Sequence, residues 1–441
     1  MIIKKFLRGL FSAIIILAAI AAGFWAFAPA SYKAGALRAL HWGRQQAVKY
    51  ELITGKEVTN IRQMMTTDMS RSRTIMWQSD SSEKEPAVEY RLVGEKEVQS
   101  VKASEEKMED GKEVTFIHTA KLENLTPDQH YEYRIRYGSK ASEWKKFATP
   151  SGNDFKAIVF PDSQSSDYSI WGKTAAAGWK KAPDARFFIN MGDIVDNGED
   201  PYQWNQWFKY AQPFVEQIPF APIMGNHETY TLDWKVRRPL AYMKLFNVPD
   251  NGYKVYPNRF YSYDIGEVHF VVLDTQNREL DELEPDLLKD ELAWFRQDMA
   301  KNKKKFNIVL MHKDPLQYAF NPATGRPATR KEGFSEEGRE WMPLFDEYGI
   351  DLVLSAHLHT YRNRGHLQNF QRAQQGPLYI LTGLAGNVQY PNLWKQHSLD
   401  VVVAPQPETE NFIIMEKKGN TIHLASYLPD GKLIDEAEIK K

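Results

Sequence analysis

From residue 157 onward the chain repeatedly runs an apolar stretch into a short cluster of Asp, Asn, Gln, Glu or His. Asp162-Ser163-Gln164 follows Ala157 to Phe160, and Gly192-Asp193-Ile194-Val195-Asp196 follows Phe187 to Ile189. Gly225-Asn226-His227-Glu228 follows Ala221 to Met224, His312 follows Ile308 to Met311, and Ala356-His357-Leu358-His359 follows Leu352 to Ser355. Carboxylate, amide oxygen and imidazole are oxygen and nitrogen ligands for divalent cations. Two such cations about 3.5 to 4 Å apart polarise phosphoryl oxygens, lower the pKa of a bound water and clamp the attacking and leaving oxygens in line. The chemistry this ligand set suits is hydrolysis of a phosphate ester by attack of a metal-bound hydroxide. Adjacent cations repel each other and need a shared anion, and Asp193, behind a glycine that lets the backbone come close, is the candidate bridge. If their strand continued through them, His357 and His359 would project to the same side, one for each metal.

Other catalytic chemistries find less support. The chain has no cysteine, which removes disulfides, thiolate zinc sites and a cysteine nucleophile together. No Gly-x-Ser-x-Gly elbow occurs. Gly172-Lys173-Thr174 looks like the end of a P-loop, but Asp167 stands where the first glycine is needed and Trp171 would crowd a phosphate. Each cluster alone has an ordinary explanation: Gly-Asp is a common turn, a lone histidine such as His312 is more often packed than ligating, and Asn-His caps helices. Their recurrence, each at a strand end, is what carries the metal reading. His41, His118, His130, His269, His366, His397 and His423 lack that context and read as structural or surface residues.

The elements that must position these side chains follow from the pattern around them. Loops at the C-terminal ends of sheet strands converge on one crevice in α/β proteins. Beyond Pro150, strands such as Phe270 to Leu273 alternate with helical stretches such as Pro285 to Met299, which predicts an α/β domain over residues 151–441. Lys303, Lys304 and Lys305 read as cations at that helix's C-terminus. Residues 56–150 carry short alternating runs instead, including Arg73 to Gln78, Ala87 to Leu92, Val114 to Ile117 and Tyr131 to Arg136, and predict an antiparallel sandwich. Within it Glu105, Glu106, Glu109 and Asp110 read as a solvated loop. Residues 31–55 hold helix formers and predict a short stalk or packing helix.

In residues 1–30, Lys4, Lys5 and Arg8 precede an apolar run from Leu10 to Ala28, long enough for a transmembrane helix. An uncleaved anchor is preferred to a signal peptide cleaved near Ala28-Pro29-Ala30, because the run exceeds an ordinary signal-peptide core. The basic end stays cytoplasmic, which places the remainder outside the cell membrane, or secretes it if the segment is removed. With 56 basic and 57 acidic residues the net charge is -1, so no field favours nucleic acid.

Taken together, these blocks resemble the calcineurin-like metallophosphoesterases, over about Phe155 to Lys441. Met76-Trp77, Leu125-Thr126-Pro127, Tyr131-Glu132-Tyr133-Arg134, Ser142-Glu143-Trp144 and Phe147-Ala148-Thr149-Pro150 are similar to the fibronectin type III-like domain of the purple acid phosphatase branch. The resemblance implies a metallophosphoesterase αββα sandwich behind that all-β domain, with two divalent ions drawn from Mn²⁺, Fe²⁺, Zn²⁺ or Mg²⁺. It implies that Asp162, Asp193 and His359 hold the first metal and that Asp193, Asn226, His312 and His357 hold the second. His227 would stand near phosphate and leaving group as general acid or donor, and Glu228 would orient it.

Three positions depart from the pattern. Gln164 stands where the wider family has histidine, Asp196 replaces the branch's iron-binding tyrosine, and Ala356 replaces the glycine before the paired histidines. Gln164 can ligate through its amide oxygen, a hard ligand that suits Mn²⁺ or Mg²⁺. The function implied is dinuclear metal-dependent hydrolysis of phosphate esters, of acid phosphatase or phosphodiesterase type, outside the cytoplasm. The alternative, kept open by Gln164, is a non-catalytic membrane-anchored protein that binds a partner through its sandwich domain. Without the tyrosine ligand the metal-loaded protein is expected to be colourless, and a visible absorption band in its spectrum would contradict this.

Overall fold

The computed structural model describes residues 30–441 except 51, 53, 54, 56, 112 and 328, together with Trp25 and Ala28. The expected anchor from Leu10 to Ala28 lies almost wholly outside the described residues, and no helix among them is long and apolar enough to cross a membrane.

Three parallel strands, β1 (Phe155–Phe160), β2 (Phe187–Asn190) and β3 (Phe220–Pro222), lie side by side in one sheet. The C-terminal strands Phe412–Lys418, Thr421–Tyr427 and Leu433–Lys440 extend it antiparallel beyond β1. A second sheet holds β4 (Phe306–Leu310), β5 (Leu352–Ser355) and β6 (Leu378–Thr382), again parallel, between Val268–Val272 and Tyr361–Gln368. All six labelled strands are covered on both faces, which is why most of them read as unbroken apolar runs.

Aromatic rings clamp the two sheets face to face. Phe270 of the second sheet lies 5.9 Å from Phe155 and 5.7 Å from Phe187 of the first, ring centre to ring centre. On the outer face of the first sheet, helices Tyr168–Lys181 and Pro201–Val215 stack Trp171 on Trp207 and set Phe214 edge-on to Phe188. Helices Leu287–Asn302 and Glu336–Tyr348 bring Phe295 and Trp341 together in the same core. The result is an αββα layering, within the α/β class that the alternating pattern predicts and of the kind that the resemblance implies. Gly172 sits inside a helix with Tyr210 against it, so the P-loop-like triplet is not a phosphate loop.

The N-terminal domain is a two-sheet sandwich. Thr59–Met64, Arg73–Ser79, Glu113–Leu122 and Ser104–Asp110 face Gln99–Lys102, Ala87–Leu92, His130–Tyr137 and Lys145–Ala148 over a core that includes Ile75, Trp77, Val88, Tyr133 and Phe147. The first of these sheets works on both sides. Ile75 and Trp77 enter the sandwich core, while Met64, Met76, Met108 and Ile117 join the core of the C-terminal domain, so Arg73–Ser79 is buried at every position. Thr59–Met64 also pairs with β3 through Met64 and Phe220, fusing the domains into one ten-stranded sheet.

The acidic stretch is an edge strand, Ser104–Asp110, not a solvated loop. Its pairing with Glu113–Leu122 satisfies the backbone, and its carboxylates meet basic residues of the other domain: Asp110, buried, grips Arg237 with both oxygens, and Glu106 pairs with Lys244. Helix Ala30–Lys49 is a packing helix over the domain junction, through Arg38 on Asp200 and Arg44 on Asp80. The lysines behind Leu287–Asn302 form ion pairs as well as capping it, Lys304 lying 3.2 Å from Asp264 and Lys305 3.9 Å from Glu267.

His269, on Val268–Val272, is buried between Asp264 at 2.7 Å and Asp298 at 2.8 Å. Burial alone would lower its pKa, but the two carboxylate hydrogen bonds outweigh it and raise the ring to about 9. The folded value exceeds the unfolded one of about 6.5, so this triad's contribution is full below that pH and lost as pH rises through about 9. His269→Gln is expected to cost at most about 3 kcal/mol at pH 6 and to flatten the decline in stability toward pH 9.5. Denaturant melts across that range check it, and an unchanged decline in the variant would contradict the assignment.

Candidate metal centre

Each strand end delivers its cluster to one place. Asp162, just past β1, takes the backbone N–H of His357 at 3.0 Å and lies 3.7 Å from Nδ1 of His312. Asp193, past β2, lies 3.2 Å from Nε2 of His312 and accepts the backbone N–H of His227 at 2.9 Å. Ligand atoms of Asp193, His312 and His357 fall within 4.8 Å of one another, as do those of Asp162, Asp193 and His359. Asp193 belongs to both triads, which is the position a bridging carboxylate needs. The side-chain oxygen of Asn226 joins the first group, 3.2 Å from Nε2 of His312, and the Gln164 amide joins the second, 3.0 Å from Nε2 of His359.

The backbone is strained where these side chains are presented. Asp193, His357 and His359 all have positive φ, at 45°, 74° and 51°. That region is unfavourable for residues with a Cβ, and such strain persists only where the surroundings enforce it. For the two histidines this corrects the expectation from strand alternation: β5 ends at Ser355, and both residues are aimed inward from a left-handed turn. Gly225 fits against Asp193 so closely that a Cβ there would lie 2.1 Å from the carboxylate oxygen.

Protons on the histidine rings, assigned from their hydrogen bonds, point outward. Nδ1 of His312 faces the Met191 carbonyl at 2.9 Å, Nδ1 of His359 faces that of Val388, and Nδ1 of His227 faces that of Asp196 at 2.7 Å. Each ring thereby turns Nε2 toward the centre, the arrangement of metal-ligating histidines. Three buried atoms at the centre have no hydrogen-bond partner: Asp193 Oδ2, Gln164 Oε1 and His357 Nδ1. An unpartnered buried polar atom costs about 1 to 3 kcal/mol, so three at one point are a large fraction of a domain's stability. Bound cations would satisfy all three, and the donor set fits two divalent ions.

Electrostatics agree with that fit. Burial pushes Asp162 up to about 8, with His312 opposing the shift and Asp193 adding to it. Burial lowers His359 to about 4. Burial would lower His312 too, but Asp193 and Asp162 draw positive charge to it and raise it to about 9. The carboxylates therefore require positive charge among the imidazole nitrogens, as protons or as metal.

Glu228 has a different role from the expected one. It does not touch the His227 ring; its carboxylate accepts the backbone N–H groups of Gly225, Ile194, Asp193 and Val195 at 2.7, 2.8, 3.0 and 3.3 Å. Through these four N–H donors Glu228 pins the loop of Asp193 to that of Gly225, and the hydrogen bonds offset the burial of its carboxylate. The partner of His227 is the Asp196 carbonyl, so Asp196 turns toward His227 and is absent from both ligand triads. Nothing in the strand-end pattern flagged Tyr390 or Trp394. Tyr390 lies 4.9 Å from the His359 ring, and the Trp394 indole donates to the Leu358 carbonyl at 2.9 Å.

Comparison with known proteins bears on both domains. Residues 158–361 match the calcineurin-like phosphoesterase family, and residues 58–149 match the purple acid phosphatase N-terminal domain. The chain is 26% identical over 208 residues to purple acid phosphatase 15 of Arabidopsis thaliana, which covers 47% of this chain and 36% of that protein. It is 25% identical over 361 residues to acid phosphatase type 7 of Homo sapiens, covering 73% of this chain and 76% of the relative. Against the Arabidopsis thaliana purple acid phosphatases 15, 23 and 18 it spans 36%, 38% and 58% of their lengths. In fold it is similar to purple acid phosphatase PPD1 from yellow lupin (Lupinus luteus) seeds, with a TM-score of 0.72 at 18% identity over 87% of this chain and 74% of that one. PhoD gives 0.60 at 10% identity over 86% and 88%.

Glu228→Gln places an NH₂ among four backbone donors that all need an acceptor. It is expected to cost about 2 to 3 kcal/mol, seen as a lowered melting temperature, and to weaken Mn²⁺ binding measured by calorimetry. Wild-type stability and affinity in the variant would contradict the pinning role.

Proposed function

We propose that this chain, a calcineurin-like phosphoesterase domain joined to a purple acid phosphatase N-terminal domain, is a metal-dependent phosphoester hydrolase acting outside the cytoplasm. The observation that carries the reading is Asp193, shared by two triads of ligand atoms at the meeting point of the strand ends. Asp162, Gln164 and His359 would hold one ion with it, and Asn226, His312 and His357 the other. When bound, the pair supplies Lewis acidity toward the phosphoryl oxygens and toward the attacking water.

The chain's own residues account for the remaining steps. Nδ1 of His227 is fixed on the Asp196 carbonyl, and the ring lines a cavity beside Asp193, His357 and His359. Nε2 holds a proton for the leaving-group oxygen when the ring is an imidazolium, a form that burial disfavours but that Asp193 and Asp196 favour more strongly, raising the pKa of His227. Tyr230 at 5.5 Å and Trp234 at 5.8 Å stand edge-on to the ring and hold its plane. Glu228 acts behind this, holding the Asp193 and Gly225 loops in register.

The location outside the membrane rests on Lys4, Lys5 and Arg8 ahead of the apolar run Leu10 to Ala28. One observation favours the non-catalytic reading: the Gln164 amide nitrogen, not its oxygen, faces Nε2 of His359. Metal binding by His359 would require that amide to turn and bring its oxygen, which has no hydrogen-bond partner, toward the ion.

The test is hydrolysis of p-nitrophenyl phosphate and bis(p-nitrophenyl) phosphate by the membrane fraction carrying the full chain, with Mn²⁺ or EDTA, beside Asp193→Asn. Activity lost by at least about a thousandfold on chelation and on substitution is expected. Activity that survives either treatment, or none in any metal, would overturn the proposal, and activity found only in the cytosolic fraction would overturn the location.

A further inference from the structure

Helix Ala30–Lys49 is held to the domain junction by one of its sides. Arg38 pairs with Asp200 and lies over the Tyr202 ring at 5.6 Å, Arg44 pairs with Asp80, and the Gln45 amide donates to the Val114 carbonyl at 3.4 Å. The opposite side has another composition. With about 100° of turn per residue, Tyr32, Ala36, Ala39, Leu40, Trp42 and Tyr50 share an arc of about 160°, and all six are exposed. Tyr32 is 73% exposed, Leu40 67%, Trp42 50% and Tyr50 66%, the last continuing the final turn by donating its N–H to the Gln46 carbonyl at 3.0 Å. Gly35 and Gly43 lie on the same arc, and a Cβ at either would meet nothing within 4 Å. No Asp, Glu, Lys or Arg falls within it.

An apolar stripe along a whole helix is unfavourable in water and marks a surface that something covers. The sequence beside it indicates what. The apolar run from Leu10 ends at Ala28, and the helix begins at Ala30. Ala28 lies in a bend, and a residue before proline is steered out of helical backbone, so the chain can turn at Pro29 from crossing a bilayer to lying along it. Tyrosine and tryptophan favour the zone between headgroups and hydrocarbon, where the ring is buried and its O–H or N–H stays wet. Tyr32, Trp42 and Tyr50 supply such rings along the length of the helix, about 30 Å.

We infer that the outward face of helix Ala30–Lys49 lies on the lipid surface of the membrane that anchors the chain. Residues 1–30 must anchor the chain for this to hold. Lipid suits the face better than a second copy would, because the anchor brings lipid to the first turn whether or not another chain is near. The rings then enter the headgroup region by about 5 to 10 Å, with the helix axis along the surface. Arg38 grips the catalytic domain and Arg44 the sandwich, so the helix holds both domains at one attitude to the membrane.

The chain has no cysteine, so one introduced thiol marks one position. Ala39→Cys and, separately, Gly43→Cys carry an environment-sensitive fluorophore on the outward face. Lys418→Cys carries it at the end of the first sheet away from the metal centre, beside the start of β1. Each full chain is reconstituted in vesicles of phosphatidylcholine with some phosphatidylglycerol, and quenching by acyl-chain spin labels is compared with quenching by aqueous iodide. Spin-labelled lipid is expected to quench positions 39 and 43 at least about threefold more than position 418, and iodide to quench them at least about threefold less. Equal quenching by iodide at all three positions would overturn the inference, while leaving the anchor in place if the protein resists extraction by alkaline carbonate. Shielding from both quenchers, with oxidation linking two unlabelled Ala39→Cys chains, would overturn it in favour of a second copy. A chain that carbonate strips from the vesicles would remove the anchor and the inference together.

Discussion

Two carboxylates, Asp162 and Asp193, are buried against imidazoles with almost no exposure to water. An ionised carboxylate taken from water costs several kcal/mol unless positive charge and hydrogen bonds compensate it. The cluster therefore has to bring cationic or cation-binding groups to within a few ångströms, and it does so from five separate strand ends. Most of the peculiarities of this domain follow from that requirement. Three of the clustered side chains sit in left-handed backbone, a glycine packs where no Cβ fits, and a further buried glutamate turns both its oxygens to backbone amides.

Such strain must be held by something stiffer than loops. The two facing sheets provide it, each presenting parallel strands that end on the same side. The N-terminal sandwich adds to this because one of its sheets is hydrogen-bonded to β3, the strand that leads into Asn226 and His227. Its outer face lies in the same core as Phe188 and Phe220, so the sandwich is a structural part of the platform under the site. The Asp110 and Arg237 pair spans the same junction, where losing one partner of a buried ion pair costs about 3 to 5 kcal/mol.

Much of this was legible in the residues, for identifiable reasons. Fully buried parallel strands are short apolar runs, and the clusters at their ends stand out because polar residues interrupt each run, as at Asp162, Asp193 and His312. His357 and His359 stand out in the same way, but the turn that presents them does not, since positive φ at non-glycine residues leaves no trace in the sequence. Glu228 was misplaced because its partners are backbone amides brought together only by the fold. The acidic edge strand looked like a loop because its partners, Arg237 and Lys244, lie in the other domain. The placement of Tyr390 and Trp394 beside the centre depends wholly on tertiary contacts that no local pattern encodes.

The central claim is that Asp193 stands between two cations. Crystals of the protein grown with Mn²⁺ and measured at the manganese absorption edge test it directly. The account predicts two anomalous peaks about 3.5 to 4 Å apart, on either side of the Asp193 carboxylate. A single peak, or none at that carboxylate, would contradict it.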